Sequence, residues 1–322
     1  MFASTGHRYS VPETTPLRIP DKPLTPLYCR VPWTICIHAR GADAEDFLRG
    51  QLTQNPPAPG DAAYSLAGWS DARGRVRAVF RVLRRADRLL LVTEREHAAA
   101  VLGKLRMYVL RARVELEPDD LLANAAVVGD AAAWLASRRV PLAAAPGAAA
   151  STGELFWLRL GPELLHVVGP AGEVDRLGAG LAEGPTEHAE LAEIRLGIPR
   201  IGAALAERYL PQMLNLDRLD AVSFDKGCYP GQEVIARLHH LGQVKRRMRR
   251  FTGDAPGVVP APGTSLVDEG GTPVGEAVRA ASVAGSMELL AVVQLDAAAS
   301  PLYLDGEEKI ALAVQPLPYE RP

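Results

Sequence analysis

The sequence predicts an α+β protein: two successive rounds of strand and helix, then a tail of short strands forming a small β-barrel. The rounds occupy residues 33–116 and 125–181, and each mixes strands with helices in an order that suits helices on one face of a largely antiparallel sheet. The tail differs in character. From Phe251 onward, short apolar alternations are broken by Pro260, Pro262-Gly263, Gly270-Gly271, Gly275, Gly285 and Asp305-Gly306. Short strands at regular turn spacing are what a small barrel requires.

Residues 33–39 alternate loosely and read as a strand. Asp43 then stands where a helix N-cap belongs, with Ala44, Phe47, Leu48 and Gln51 on one face at i, i+3, i+4 and i+7. That helix must end before Asn55-Pro56-Pro57, because a residue preceding proline avoids the α region. The chain turns at Ser70-Asp71-Ala72-Arg73-Gly74, and residues 76–83 and 88–92 form a hairpin through Arg85-Ala86-Asp87. Thr93-x-x-Glu96 has the form of a capping box, opening a helix striped by Val101, Leu102, Leu105, Tyr108 and Val109. Residues 113–116 return as a strand that Pro118-Asp119-Asp120 breaks.

The second round opens with a strand at 125–128, and Asp130 caps a short helix around Trp134. A loop rich in alanine, proline and glycine (141–153) leads to strands at 155–160 and 164–168, and a helix over 173–181 closes the round. Residues 186–196 form an acidic-fronted helix that ends at Gly197, with Pro199 just beyond. Residues 200–225 are irregular. A short helix follows Gly231, and a strand begins near Arg247.

Composition narrows the function classes. The 322 residues are 48% hydrophobic and 23% charged, enough apolar surface for real cores in two or three domains. A formal net charge of −2 argues against a protein coated with positive charge for nucleic acid. Cys29, Cys36 and Cys228 are too few for a disulfide framework, so a reducing, cytoplasmic setting is expected. Cys29 and Cys36 lie in apolar sequence and read as packing residues. No apolar run approaches the ~20 residues that span a bilayer, so no membrane partner is expected. Residues 1–32 carry prolines at 12, 16, 20, 23, 26 and 32 but no apolar signal core, which suits an extended arm.

The chemistry concentrates in Phe224-Asp225-Lys226-Gly227-Cys228-Tyr229-Pro230-Gly231-Gln232-Glu233. Gly227 and Gly231 carry no Cβ, which allows a tight turn or a close backbone approach. Pro230-Gly231 fits the central pair of a type II turn. Cys228 would then sit on a sharp, exposed bend, where Lys226 and the arginines beyond could favour the thiolate. The plainer alternative is a small buried hydrophobe. Residues 225–250 hold seven Lys or Arg against Asp225 and Glu233, a net +5. Their run Lys245, Arg246, Arg247, Arg249 and Arg250 is either a solvated face or an anion site for a folate tail or RNA phosphates. His239-His240 lack the i, i+4 spacing of a helical zinc pair, and no dedicated metal site is expected.

Lys226-Gly227-Cys228-Tyr229-x-Gly231-Gln232-Glu233, with Ala236-Arg237, Gly242 and Lys245-Arg246 behind it, resembles the signature of the YgfZ family. The resemblance extends through Gly197-Ile198-Pro199, Leu210-Pro211-Gln212, Asn215-Leu216-Asp217 and Phe47-Leu48-x-Gly50-Gln51-Leu52-Thr53. It implies two intertwined subdomains of the glycine-cleavage T-protein type plus a barrel around a central opening. In that arrangement residues 1–32 are the arm, and 33–120 with 186–246 form the folate-binding-like subdomain carrying the cysteine loop. Residues 121–185 form the second subdomain and 247–322 the barrel.

The resemblance further implies tetrahydrofolate or another folate as cofactor, with iron–sulfur enzymes or assembly proteins as partners and a role in cluster-dependent tRNA modification. Cys228 would be its reactive thiol, with Lys226, Tyr229, Gln232 and Glu233 shaping the loop, and these four with Arg237 would belong to the folate-binding set. Trp33 lies close to a family folate-contacting tryptophan, or else belongs to the core. A second family aromatic falls near Ala189, where only His188 adjoins. Arg195, Gln212 and Asn215 either line the same pocket or make ordinary loop hydrogen bonds. Aminomethyltransferase relatives carry a carboxylate pair after a glycine of the first hairpin. Here that run is Gly74-Arg75-Val76-Arg77-Ala78, and the nearest acid is Asp71, ahead of the turn. General acid–base help worth ~10²–10⁴ in rate is therefore absent, and one-carbon transfer is the weaker alternative. Direct tRNA binding by the 245–250 run is a third possibility, against which the absence of interleaved aromatics counts.

Overall fold

In the computed structural model, residues 25–58, 62–86, 88–254, 259–306 and 309–320 are described. Most of the predicted arm and Asp87 of the predicted hairpin turn lie outside them. The chain begins with β1 (Leu27–Arg30), β2 (Thr34–Arg40), α1 (Ala44–Gln51), β3 (Ala63–Ser70), β4 (Val76–Arg85), β5 (Arg88–Glu94), α2 (Ala98–Arg106) and β6 (Glu115–Asp119). It continues through β7 (Leu122–Val128), α3 (Ala132–Ser137), β8 (Ala149–Thr152), β9 (Leu155–Gly161), β10 (Leu164–Pro170), α4 (Ala171–Leu177), β11 (Ala182–Glu183) and α5 (Thr186–Arg195). Two 3₁₀ turns then lead to α6 (Gln232–Leu241) and to β12 (Arg246–Asp254), β13 (Ser265–Val267), β14 (Pro273–Val283), β15 (Ser286–Gln294), β16 (Leu302–Leu304) and β17 (Ile310–Gln315).

The strands make a five-stranded sheet, β3-β4-β5-β2-β6, a six-stranded sheet, β11-β1-β7-β10-β9-β8, and a closed barrel, β12-β15-β14-β13-β16-β17. Side chains alternate across each sheet, so each sheet has two faces to cover. In the first sheet Trp69, Phe80 and Leu91 pack under Phe47 and Leu48 of α1 and Val101 and Leu105 of α2. In the second, Val127, Trp157 and Val167 pack under Leu135 of α3 and Val174 of α4. The remaining faces meet each other: Cys36, Leu83, Leu90 and Val92 touch Phe156, Leu158 and Val168. The order of layers is therefore helix, sheet, sheet, helix. Burial on both faces explains why residues 155–160 read as a nearly unbroken apolar run.

The predicted α+β class with a C-terminal barrel holds. Phe251, Leu266, Leu289, Val293 and Leu312 fill the barrel. Its outer face (Met248, Val278, Leu290, Val292) packs on Leu191 and Ile194 of α5 and on the segment from Ile201 to Ile235 that carries the cysteine loop. Gly197, at φ +68°, ends α5 as expected.

Local readings failed where tertiary pairing won. Thr93 does not cap α2; it lies in β5, and its hydroxyl donates to the Val79 carbonyl at 3.0 Å. Asp43 stands at the N-cap of α1 but its carboxylate takes the Arg113 guanidinium and backbone N–H instead. Pro118 does not break β6, because this is an edge strand where a missing N–H costs little. Strand β8 falls in the stretch read as a loop, and β3 in one for which the sequence predicts no element. Leu27–Arg30, at the end of the arm range, is ordered by pairing with β7 and β11.

Candidate functional site

The cysteine loop is held by its backbone. Gly231 adopts φ 79° and ψ 1°, and Gln232 N–H donates to Tyr229 C=O at 3.2 Å, the type II turn that Pro230-Gly231 predicted. A Cβ on Gly231 would lie 2.5 Å from Gly74 N and 2.6 Å from Asp71 O. The loop thus rests directly on the Ser70–Gly74 turn, backbone against backbone. Gly227 is different: open space surrounds its Cα, so no close approach requires a glycine there.

Lys226 anchors the other side. Its ammonium donates to Arg49 C=O, in the last turn of α1, and to C=O of Leu52, the C-cap, both at 2.6 Å. Burial, with Arg49 nearby, lowers its pKa to about 8. The ammonium also lies 5.0 Å from the centre of the Tyr229 ring, and Gln232 Nε2 donates to Lys226 C=O at 3.3 Å. Tyr229 is buried, its hydroxyl without a hydrogen-bond partner among the described residues and its pKa raised by burial to about 12. Cys228 is left exposed at the tip. Cys29 and Cys36 are buried instead, and burial pushes their thiols up to about 11 and 12. Glu233 and Arg237 face solvent on α6.

A second centre, which sequence reasoning missed, lies where the two sheets, α5 and the barrel meet. Arg279 of β14, 2% exposed, pairs with Glu190 and Glu193 of α5, each at 2.8 Å. Arg81 of β4 also pairs with Glu193, and His166 of β10 lies 3.3 Å from it. Arg200 links Glu190 at 2.6 Å to Glu94 of β5 at 2.8 Å. Burial opposes charge on Glu193, but Arg81 and Arg279 overcome it and hold its carboxyl well below the usual range. Burial, reinforced by Arg81, lowers His166 to about 3, so that ring is neutral. Burial raises Glu94 to about 7 against the pull of Arg200. The available signal was Glu190 and Glu193, three apart on a helix and flanked by buried Ala189 and Ile194.

Trp33 belongs to this second centre. Arg200 lies over its ring at 4.9 Å, and its Nε1 is buried without a partner among the described residues. The ring packs on an apolar cluster that includes Ala189, beside which the half-buried His188 leaves Nδ1 unpartnered. Trp33 and Ala189 thus share one apolar cluster. Arg195 points elsewhere, to Glu288 at 2.8 Å.

Gln212 and Asn215 are loop braces. Gln212 Nε2 donates to Ile235 C=O at 2.7 Å and Asn215 Nδ2 to Met248 C=O at 2.8 Å. The basic run divides. Arg247 makes a two-point pair with Asp217 at 2.8 and 2.9 Å, Arg249 pairs with Glu320, and Arg250 with Glu288 at 3.4 Å. Only Lys245 and Arg246 of the run remain exposed without an ion pair among the described residues, so no five-residue anion patch forms. Asp71, the acid nearest the first hairpin turn, uses Oδ1 to accept from the backbone of Arg73 at 2.9 Å and Arg75 at 2.8 Å.

Comparison with known proteins decides the family. The chain is 30% identical over 320 residues to the tRNA-modifying protein YgfZ of Edwardsiella ictaluri, covering 94% of this chain and 95% of that one. It is 31% identical to the protein of the same name from Sodalis glossinidius, covering 96% and 97%. The chain belongs to the YgfZ family. The Escherichia coli O157:H7 member of this family is 29% identical, across 87% of this chain. Among solved structures, glycine cleavage system aminomethyltransferase T from Bartonella henselae superposes with a TM-score of 0.70 at 16% identity, covering 92% of this chain and 86% of that one. The YgfZ chain therefore shares the T-protein fold. No family model matches it.

Proposed function

We propose that this YgfZ-family protein is a cytoplasmic, folate-binding accessory factor that supports iron–sulfur enzymes of tRNA modification through the Cys228 thiol. The observation that carries the reading is the contrast among the three cysteines. Two are buried, and the third stands exposed on a loop pinned by Lys226 to α1 and by Gly231 to Gly74. A thiol held in place yet open to solvent is suited to meeting a partner's sulfur, metal or thiol.

The second centre suits a folate in its chemistry. Trp33 offers an aromatic face, Trp33 Nε1 and His188 Nδ1 are buried polar atoms in want of partners, and Glu94 has a raised proton affinity. The space beside Trp33 is about 30 Å³, room for water only, with Arg200 over the ring. A pterin bound there would displace that guanidinium, with Trp33 as its wall. Aminomethyl transfer is not part of the proposal, since the Asp71 carboxylate holds a turn.

Two experiments test the reading. Cys228→Ser should fail to restore cluster-dependent tRNA thiomodification in cells lacking the endogenous family member. Full restoration would remove the thiol from the function. In calorimetric titration with tetrahydrofolate, Trp33→Ala should weaken binding at least about tenfold, the loss of one well-stacked aromatic contact. Unchanged affinity would place the folate elsewhere.

A further inference from the structure

On the helix that follows the cysteine loop, the last turn presents a surface that neither centre uses. His239 stacks on Phe224 with ring centroids 3.8 Å apart and planes 18° from parallel. His240 meets the pair edge-on, 4.8 Å from His239 and 6.2 Å from Phe224. Both histidines are exposed, and Leu241 next to them is 84% exposed. Arg237 on α6 and Lys245 and Arg246 just beyond it are exposed, and none has an ion-pair partner among the described residues. An open groove of about 410 Å³ runs alongside, lined by Leu238, His239, Gly242, Asp217 and Arg247. Asp217 is neutralised there by Arg247. The exposed carboxylates of this region are Asp225, which directly follows Phe224, and Glu233 in the first turn of α6.

Flat rings interleaved with uncompensated cations are the combination that binds unpaired nucleic acid. Bases stack on the rings while the cations track the phosphates. Base pairs in a duplex could not use the rings. We propose that the C-terminal half of α6, with Phe224, Lys245 and Arg246, docks an unpaired segment of RNA beside Cys228. The inference rests on the tRNA-linked reading above for its choice of RNA among polyanions. The folded chain supplies the interleaved aromatics that the linear sequence lacks, because Phe224 lies 15 positions from His239.

Fluorescence anisotropy with a labelled 12-nucleotide single-stranded RNA, the same sequence as a duplex, and unmodified tRNA tests the surface. Wild type should bind the single strand about tenfold more tightly than the duplex. His239→Ala should weaken single-strand binding about tenfold. Lys245→Ala with Arg246→Ala should lower the slope of log affinity against log salt by about 1.4. Circular dichroism of each variant separates lost binding from lost folding. Equal binding of strand and duplex would overturn the stacking role, and unchanged binding by the double variant would overturn the surface. If wild type ignores RNA and the double variant instead loses crosslinks to iron–sulfur enzymes, the face serves a protein and the inference falls. Cys228→Ser, carried in parallel, separates the two readings. Its failure in cells without any RNA binding by wild type would sink only this inference.

Discussion

The cysteine loop and the buried charged centre solve opposite problems. Around Cys228 the protein exposes a thiol and holds the backbone beneath it through contacts to main chain: Gly231 on Gly74, and the Lys226 ammonium on the carbonyls of Arg49 and Leu52. At Glu193 it buries charge and immobilises it with side chains from four separate elements. The first arrangement is local in sequence, apart from the surface it rests on. The second exists only once both sheets, α5 and the barrel have assembled. A loop whose shape is set by neighbouring residues can be read from sequence, whereas a cluster that joins layers cannot.

The contrast can be broken most forcefully at Arg279. Arg279→Ala leaves Glu190 and Glu193 buried with too little compensation, and should cost about 3–5 kcal/mol in urea unfolding. A loss below about 1 kcal/mol would mean that the ion pairs do not hold the layers together. The loop comes next. Gly231→Ala should cost about 2 kcal/mol or more, because φ is positive and the new Cβ meets the Gly74 backbone. Gly227→Ala, in open space, should stay within about 0.5 kcal/mol. Equal effects at the two glycines would refute backbone docking. Iodoacetamide labelling of Cys228, with buried Cys29 and Cys36 silent until unfolding, would report the displaced loop in the Gly231 variant.

The smallest effect concerns pH at the charged centre. Glu94 has a folded-state pKa of about 7, above its ordinary value near 4.5. Between those values the folded protein holds more protons there than the unfolded chain. The contribution of Glu94 is thus fully present below about 4.5 and fades as pH rises toward 7. Glu94→Gln should flatten the stability curve across that window. A curve unchanged in slope would show that Arg200 keeps the carboxylate charged throughout.

Much of the fold was legible because strand and helix periods in residues 33–196 are carried by core side chains that stay in place. The type II turn and the exposure of Cys228 were legible for the same local reason. The basic run was not. Arg247, Arg249 and Arg250 are consecutive or nearly so, but their partners Asp217, Glu320 and Glu288 come from three remote segments. Thr93 shows the complementary failure, a helix signal overridden because its residue extends a strand paired with β2. Strands such as β3 and β8, rich in small or polar residues, carried too little pattern to be seen without their neighbours.

The strand Leu27–Arg30 has a consequence in time. It pairs with β7, whose first residue, Leu122, is synthesised about 90 residues later, and with β11, later still. At ribosomal rates of ~5–20 residues per second, that strand waits roughly 5–20 s for its first partner. The five-stranded sheet is complete in sequence by Asp119, so it can form while the earlier-made strand is still idle. The nascent protein thus carries an unpaired edge, Leu27-Tyr28-Cys29-Arg30, through a substantial part of its own synthesis. That interval is when the chain is most open to mispairing, or to protection by a chaperone.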